Sequence, residues 1–154
     1  MGAVMSSTGR FTLGVFQDVE WARRGIEALV RDGFVPEALT IIAKDSPDAA
    51  ALIETTLGGP PERVELKELG PAVARGPLVS ALQGEDGGLT NLGLGSAIRR
   101  AGFQRHDGHI YETLTGRGGV LVAVRNEPRA ADALATLHSY GGGNAAIGAW
   151  TGRV

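Results

Sequence analysis

The chain contains no cysteine, which excludes a disulfide framework, a thiolate metal site and a thiol nucleophile, and fits a reducing, cytoplasmic setting. Aromatic residues make up only 5% of it, so each large ring matters for burial or for contact with a partner. A charge excess is missing as well. Fifteen basic residues stand against seventeen acidic ones, with a pI near 5.9, so no overall field draws the protein to nucleic acid or anionic lipid. No apolar stretch approaches the roughly 20 residues that span a bilayer, and the opening MGAVMSSTGR lacks the basic start and apolar core of a secretory signal. Neither a G-x-S-x-G elbow nor a Ser-His-Asp order is present.

What the chain does have is glycine, 24 residues of it, and a repeat. An offset of 108 residues lays TLGVFQDVEWARRGIEALVRDGF over VLVAVRNEPRAADALATLHSYGG without a gap, equating Leu13 with Leu121, Asp18 with Asn126, Ala22 with Ala130, Ile26 with Leu134, Leu29 with Leu137 and Gly33 with Gly141. Each copy reads as a strand, a capped helix and a second strand. In the first, FTLGVF is the strand, Asp18 the cap, Ala22, Ile26, Leu29 and Val30 the buried helix face, Gly33 the stop, and ALTIIA the returning strand. In the second, GVLVAV, the cap Asn126, the first-turn Pro128, the face Ala130, Leu134 and Leu137, and AAIGAW take the same places.

Two β-α-β halves predict an α+β fold, the ferredoxin-like β-α-β-β-α-β arrangement, with a four-stranded sheet and both helices on one face. The other face would be bare and need a second sheet, an inserted segment or a partner to cover it. The expected organisation is a flexible N-terminus over 1–10 and a single domain over 11–154, with the first half at 11–43, a long glycine-rich helical insertion at 44–119 and the second half at 120–150. Within the insertion, SPDAAALIETTLGG predicts a helix capped at Ser46 or Asp48 and ending at Gly58. RVELKEL alternates as a strand, PAVARGPLVSALQ is a pairing partner for it, GEDGG is a turn, and NLGLGSAIRRAGF and RHDGHIYETLTGRGG are a short and a longer helix broken at Gly102 and Phe103.

The run AGFQRHDGHIYETLTGRGGVLVAV, with Gly102, Phe103, Tyr111, Glu112, Gly118 and Gly119, resembles the general stress protein 17M-like family, also described as the YflT heat-induced stress protein domain. LGVFQDVEWARRGIEALVRDGF and ALTIIAKD are similar to that family's start. The resemblance implies a stress-associated α+β domain with no enzymatic activity, no cofactor and no catalytic residues to carry over. Relatives often place a long glycine, alanine and leucine segment in the middle; here Arg75, Glu85, Asp86, Arg99 and Arg100 interrupt it, which implies a soluble version with no membrane span.

NLGLGSAIRRAG has two of the glycines of a dinucleotide loop at Gly93 and Gly95, but Ile98 stands where the third belongs and no strand precedes it. His106, Asp107, His109 and Glu112 form the densest group of metal-capable or acid-base side chains. His106, His109 and Glu112, three apart, can serve as ligands on one side of a helix. Gly108 weakens a helix across them and favours a polar helix start capped by Asp107 with solvated histidines. Tyr111 and Trp150 are candidates either for a cleft or contact surface or for ordinary core packing. Arg117 with the Gly118 and Gly119 amides is a candidate anion site, to which Tyr111, Glu112 and Trp150 would add.

Three functions compete. The first is a non-enzymatic stress-associated domain acting as a homo-oligomer or through a protein partner. The second is a small-ligand sensor for an anion or nucleotide, similar in plan to PII-type signalling proteins by fold analogy alone. The third is a metal-dependent enzyme using His106, His109 and Glu112. If the repeat forms one shared core, Leu134→Asp should cost several kcal/mol in urea unfolding, and His109→Ala should leave the midpoint nearly unchanged.

Overall fold

The computed structural model describes residues 11–100, 105–125 and 130–140, with 105–108, 130, 134 and 138 described as backbone only. The chain folds as a mixed α+β domain around one five-stranded antiparallel sheet. Strand β1 (Phe11–Phe16) leads into helix α1 (Val19–Arg31), and β2 (Leu39–Lys44) follows a short turn of helix at Pro36–Ala38. The insertion then gives α2 (Pro47–Leu57), β3 (Glu62–Leu66), β4 (Gly70–Arg75), α3 (Pro77–Gln83), α4 (Gly88–Leu92), α5 (Leu94–Arg100) and α6 (Arg105–Gly116). Strand β5 (Val120–Arg125) and α7 (Ala130–Ser139) are the last elements among the described residues.

The first repeat unit forms as its sequence predicts. The Asp18 carboxylate accepts the Trp21 amide at 2.9 Å and starts α1; Gly33, at φ 99°, ends it. Ser46 caps α2 through the Ala49 amide at 3.1 Å, and Gly58 closes that helix in the left-handed region. Asn126, Pro128, the Leu134 side chain, Gly102, Phe103 and the strand expected at 145–150 lie outside the described residues.

Strand order is β1-β5-β2-β4-β3. The two repeat strands therefore lie side by side, with Leu13 opposite Ala123, Gly14 opposite Val122 and Val15 opposite Leu121. The 108-residue offset equates Gly14 with Val122, and these two residues face each other. A local twofold through that pair, normal to the sheet, thus relates the two copies.

The sheet departs from expectation in two ways. The insertion is not purely helical, because it adds β3 and β4 beside β2. PLVSALQ, expected to pair with β3, is instead helix α3; only the Gly70–Arg75 part of that stretch pairs. Nor is either face of the sheet bare. Phe16, Ile41, Val73, Val120, Val122 and Val124 face a layer built from α1, α2 and α7, which contributes Ile26, Leu29, Ile53 and Leu137. Leu13, Val15, Ile42, Leu121 and Ala123 face the opposite layer, α3 to α6, with Leu78, Leu82, Leu94, Ile98, Tyr111 and Leu114.

A repeat with a shared core predicts Leu13, Val15, Leu121 and Ala123 packed beneath Ile26, Leu29, Leu134 and Leu137; the four strand residues instead face the opposite layer from Ile26, Leu29 and Leu137. In a strand buried on both sides every position is apolar, so alternation no longer tells which residues face which layer. Val30, assigned to the buried face of α1, is 42% exposed and borders a recess between α1 and α2 with Ile26, Pro36 and Thr56.

The chain passes from sheet to second layer at one corner. Gly76 sits at φ 131°, and a Cβ there would overlap the Leu39 carbonyl and the Thr40 backbone. The buried Thr40 hydroxyl then accepts the Leu78 amide at 2.9 Å and caps α3 from a neighbouring strand. Gly76→Ala should therefore destabilise the domain by about 3 kcal/mol or more, and Thr40→Val by about 1 kcal/mol through the lost cap. Urea unfolding measures both, and a tolerated Gly76→Ala would show that the corner can shift.

Candidate functional site

The polar groups singled out from sequence gather around α5 and α6, which pack along each other. A cavity of about 200 Å³ opens between them, lined by Gly95, Ser96 and Arg99 from α5 and by His109 and Glu112 from α6. Glu112 is half-buried, and its Oε2 accepts the Gly95 amide at 3.2 Å. That bond answers a need of α5, a seven-residue helix whose first amides have no partner within the helix. Gly93 makes the approach possible: it joins α4 to α5 at φ 94°, and a Cβ there would lie 3.3 Å from the same carboxylate oxygen and 3.1 Å from the Lys67 carbonyl. The glycines of LGLGS thus serve a joint between two helices rather than a strand-to-helix loop, so the strand that a dinucleotide site requires is not before them.

The other candidates have separate places. His109 is exposed at the cavity rim, and the His106 side chain lies outside the described residues. Among the described residues no group of three or more histidine, aspartate or glutamate side chains is close enough to hold a metal ion. Tyr111, 5% exposed, packs in the core of the α3–α6 layer. Arg117 and Gly118 are exposed on the turn into β5. There the Gly118 amide donates to the Thr115 carbonyl at 3.1 Å and the Gly119 amide to the Leu114 carbonyl at 3.0 Å, closing the end of α6. Trp150 lies outside the described residues. The structure brings Glu112 and His109 together and leaves Arg117, Gly118 and Gly119 at the far end of the same helix.

Sequence reading missed Ser96 and Arg99. The Arg99 guanidinium is exposed and makes no hydrogen bond or ion pair among the described residues. The available signal was the spacing of Gly95, Ser96 and Arg99 on one turn of helix, but nothing local says that α6 will lie across it. The neighbouring Arg100 is engaged structurally. It donates to the Asp86 carboxylate at 2.8 Å and lies over the backbone of Gly88, which has no side chain to block it.

Hydrogen bonding from Arg100 holds the Asp86 carboxyl below the usual aspartate range. The lowered folded-state value means that the pair stabilises the fold above the ordinary aspartate pKa, and that this is lost as pH falls through the lowered one. Both groups are exposed, so the effect is small and shrinks with added salt. In an NMR titration Arg100→Ala should move the Asp86 midpoint up; an unmoved midpoint would detach the two groups. Glu112→Ala should cost about 1 kcal/mol by uncapping α5, read by urea unfolding. No helix among the described residues is long and apolar enough to cross a membrane. No protein-family model, curated protein or solved structure matches the chain.

Proposed function

We propose that the protein is a non-enzymatic, stress-associated domain that works by self-association or by binding a protein partner, as its resemblance to the general stress protein 17M-like family implies. One observation carries the association reading. Helices cover both faces of the central strands, while the outer edge of β3 has no main-chain partner among the described residues. An unpaired strand edge is a ready template for another chain. The ferredoxin-like plan belongs to the same proposal. It is supported by β5 lying between β1 and β2 and by α1 and α7 sharing one face. Light scattering should give a mass that rises above the 16.0 kDa of one chain with concentration. A strict monomer that binds no partner would overturn the reading.

The Arg99 guanidinium, without a polar partner among the described residues, favours a second reading, a small anionic ligand held between Arg99, Ser96 and His109. Inorganic phosphate or citrate should then raise the melting temperature of the wild-type protein and leave that of Arg99→Ala unmoved. Equal melting curves for both proteins, with and without anion, would remove this reading.

A further inference from the structure

We infer that two copies of this chain join through β3, edge to edge and antiparallel, about a twofold axis at Val64, so that the two five-stranded sheets run on as one. This deepens the self-association reading above and rests on it.

The strand reads Glu62-Arg63-Val64-Glu65-Leu66 and, among the described residues, pairs on its inner side only, with β4 from Glu62 opposite Ala74 to Leu66 opposite Gly70. It has no proline, and Lys67, Glu68 and Leu69 form the turn that ends it. Its two faces differ in chemistry. Leu66 is buried in the core of the α3–α6 layer and Val64 packs partly against it. On the other face Arg63 and Glu65 are exposed. Helix α4 packs against β3 and carries Leu92, a large apolar residue 42% exposed. The edge therefore has a charged side at Arg63 and Glu65 and a mixed side, on which Val64 and Leu66 are apolar and Glu62 is exposed.

Charges on an edge strand commonly keep other chains away. Here the order of the charges does the opposite for one partner, a second copy. A closed antiparallel pair is related by an axis normal to the sheet, which keeps each face on its own side. Opposed residues then share a face, and the pairing must be centred on a single residue. Centring on Arg63 sets arginine against arginine. Centring on Glu65 sets glutamate against glutamate, and Arg63 against Lys67. Centring on Val64 overlaps the whole strand, sets Arg63 opposite Glu65 twice, and brings the two Val64 side chains together on the mixed face. Opposite charges facing each other across strands stabilise a pair, and like charges destabilise it. Of these three registers only that on Val64 opposes unlike charges, with Glu62 falling opposite Leu66 at each end, and a pairing centred on Leu66 would run into the turn at Lys67 to Leu69.

Within one chain Arg63 donates to the Asp45 carboxylate at 2.6 Å, with its side chain 66% exposed. A guanidinium has five donors in a fixed fork, enough to hold that carboxylate and the Glu65 of a second copy.

The test uses the full chain. In analytical ultracentrifugation the wild-type protein should show a monomer–dimer equilibrium. Arg63→Glu, which sets like charges opposite each other twice, should weaken the dimer about tenfold or more. The double reversal Arg63→Glu with Glu65→Arg should restore it, and Asp45→Ala, which removes only the intrachain partner, should leave it unchanged. Thermal melting of each variant confirms that the fold is kept. Because the chain has no cysteine, Val64→Cys supplies a single thiol, and mild oxidation should yield a disulfide-linked dimer, while Thr55→Cys on exposed α2 should not. Self-association that ignores Arg63→Glu and Val64→Cys would overturn this pairing and leave the broader reading standing. A monomer at every concentration would overturn this pairing too, and if that monomer also binds no partner it overturns both.

Discussion

A strand with every residue buried must be covered on both faces, and that requirement organises this molecule. Val120 to Val124 of β5 and Leu39 to Ala43 of β2 are buried without a break. No single helical layer meets both sides of such a strand, because successive side chains point in opposite directions. One layer comes from helices beside the strands in the repeat. The other has to come from elsewhere, and the insertion supplies it. The corner at Gly76, with Thr40 beneath it, is where the chain leaves the sheet to do so.

The second layer is assembled from pieces that would not hold their shape alone. Helices α3, α4 and α5 have seven, five and seven residues, well short of the roughly 12 to 15 at which an isolated helix becomes even marginal in water. Each donates a backbone hydrogen bond to a side chain of another element. Thr40 of β2 accepts from Leu78 in α3, Gln83 of α3 from Thr90 in α4, and Glu112 of α6 from Gly95 in α5. Polar residues that look like reactive groups in a sequence here hold short helices in place. The apolar side chains Leu78, Leu82, Leu89, Leu94 and Ile98 supply the burial that these caps orient.

The repeat made half of this fold legible. The runs that form β1, β2 and β5, the Asp18 and Ser46 caps and the left-handed stops at Gly33 and Gly58 are local signals, and they stand where the sequence puts them. What could not be read was the choice of face. Leu13 and Phe16 are equally apolar, yet one meets α6 and its neighbours and the other meets α1. The same limit applied to the site. His109 and Glu112 are visible as a pair on one helix, but their cavity is completed by Arg99 and Ser96, brought there by the packing of α5 on α6. The 24 glycines blurred matters further. Gly76 is demanded by a collision with a strand 36 positions earlier in the chain, at Thr40, which no neighbouring residue announces.

The position of β5 has a consequence for how the chain is made. It sits between β1 and β2, although more than 70 residues separate it from either in the chain. During synthesis both flanking strands leave the ribosome long before the strand that joins them. The nascent chain must carry two apolar strands, each with an edge waiting for β5, until Val120 to Arg125 emerge. Such late, long-range pairing is slow and leaves edges open to other chains.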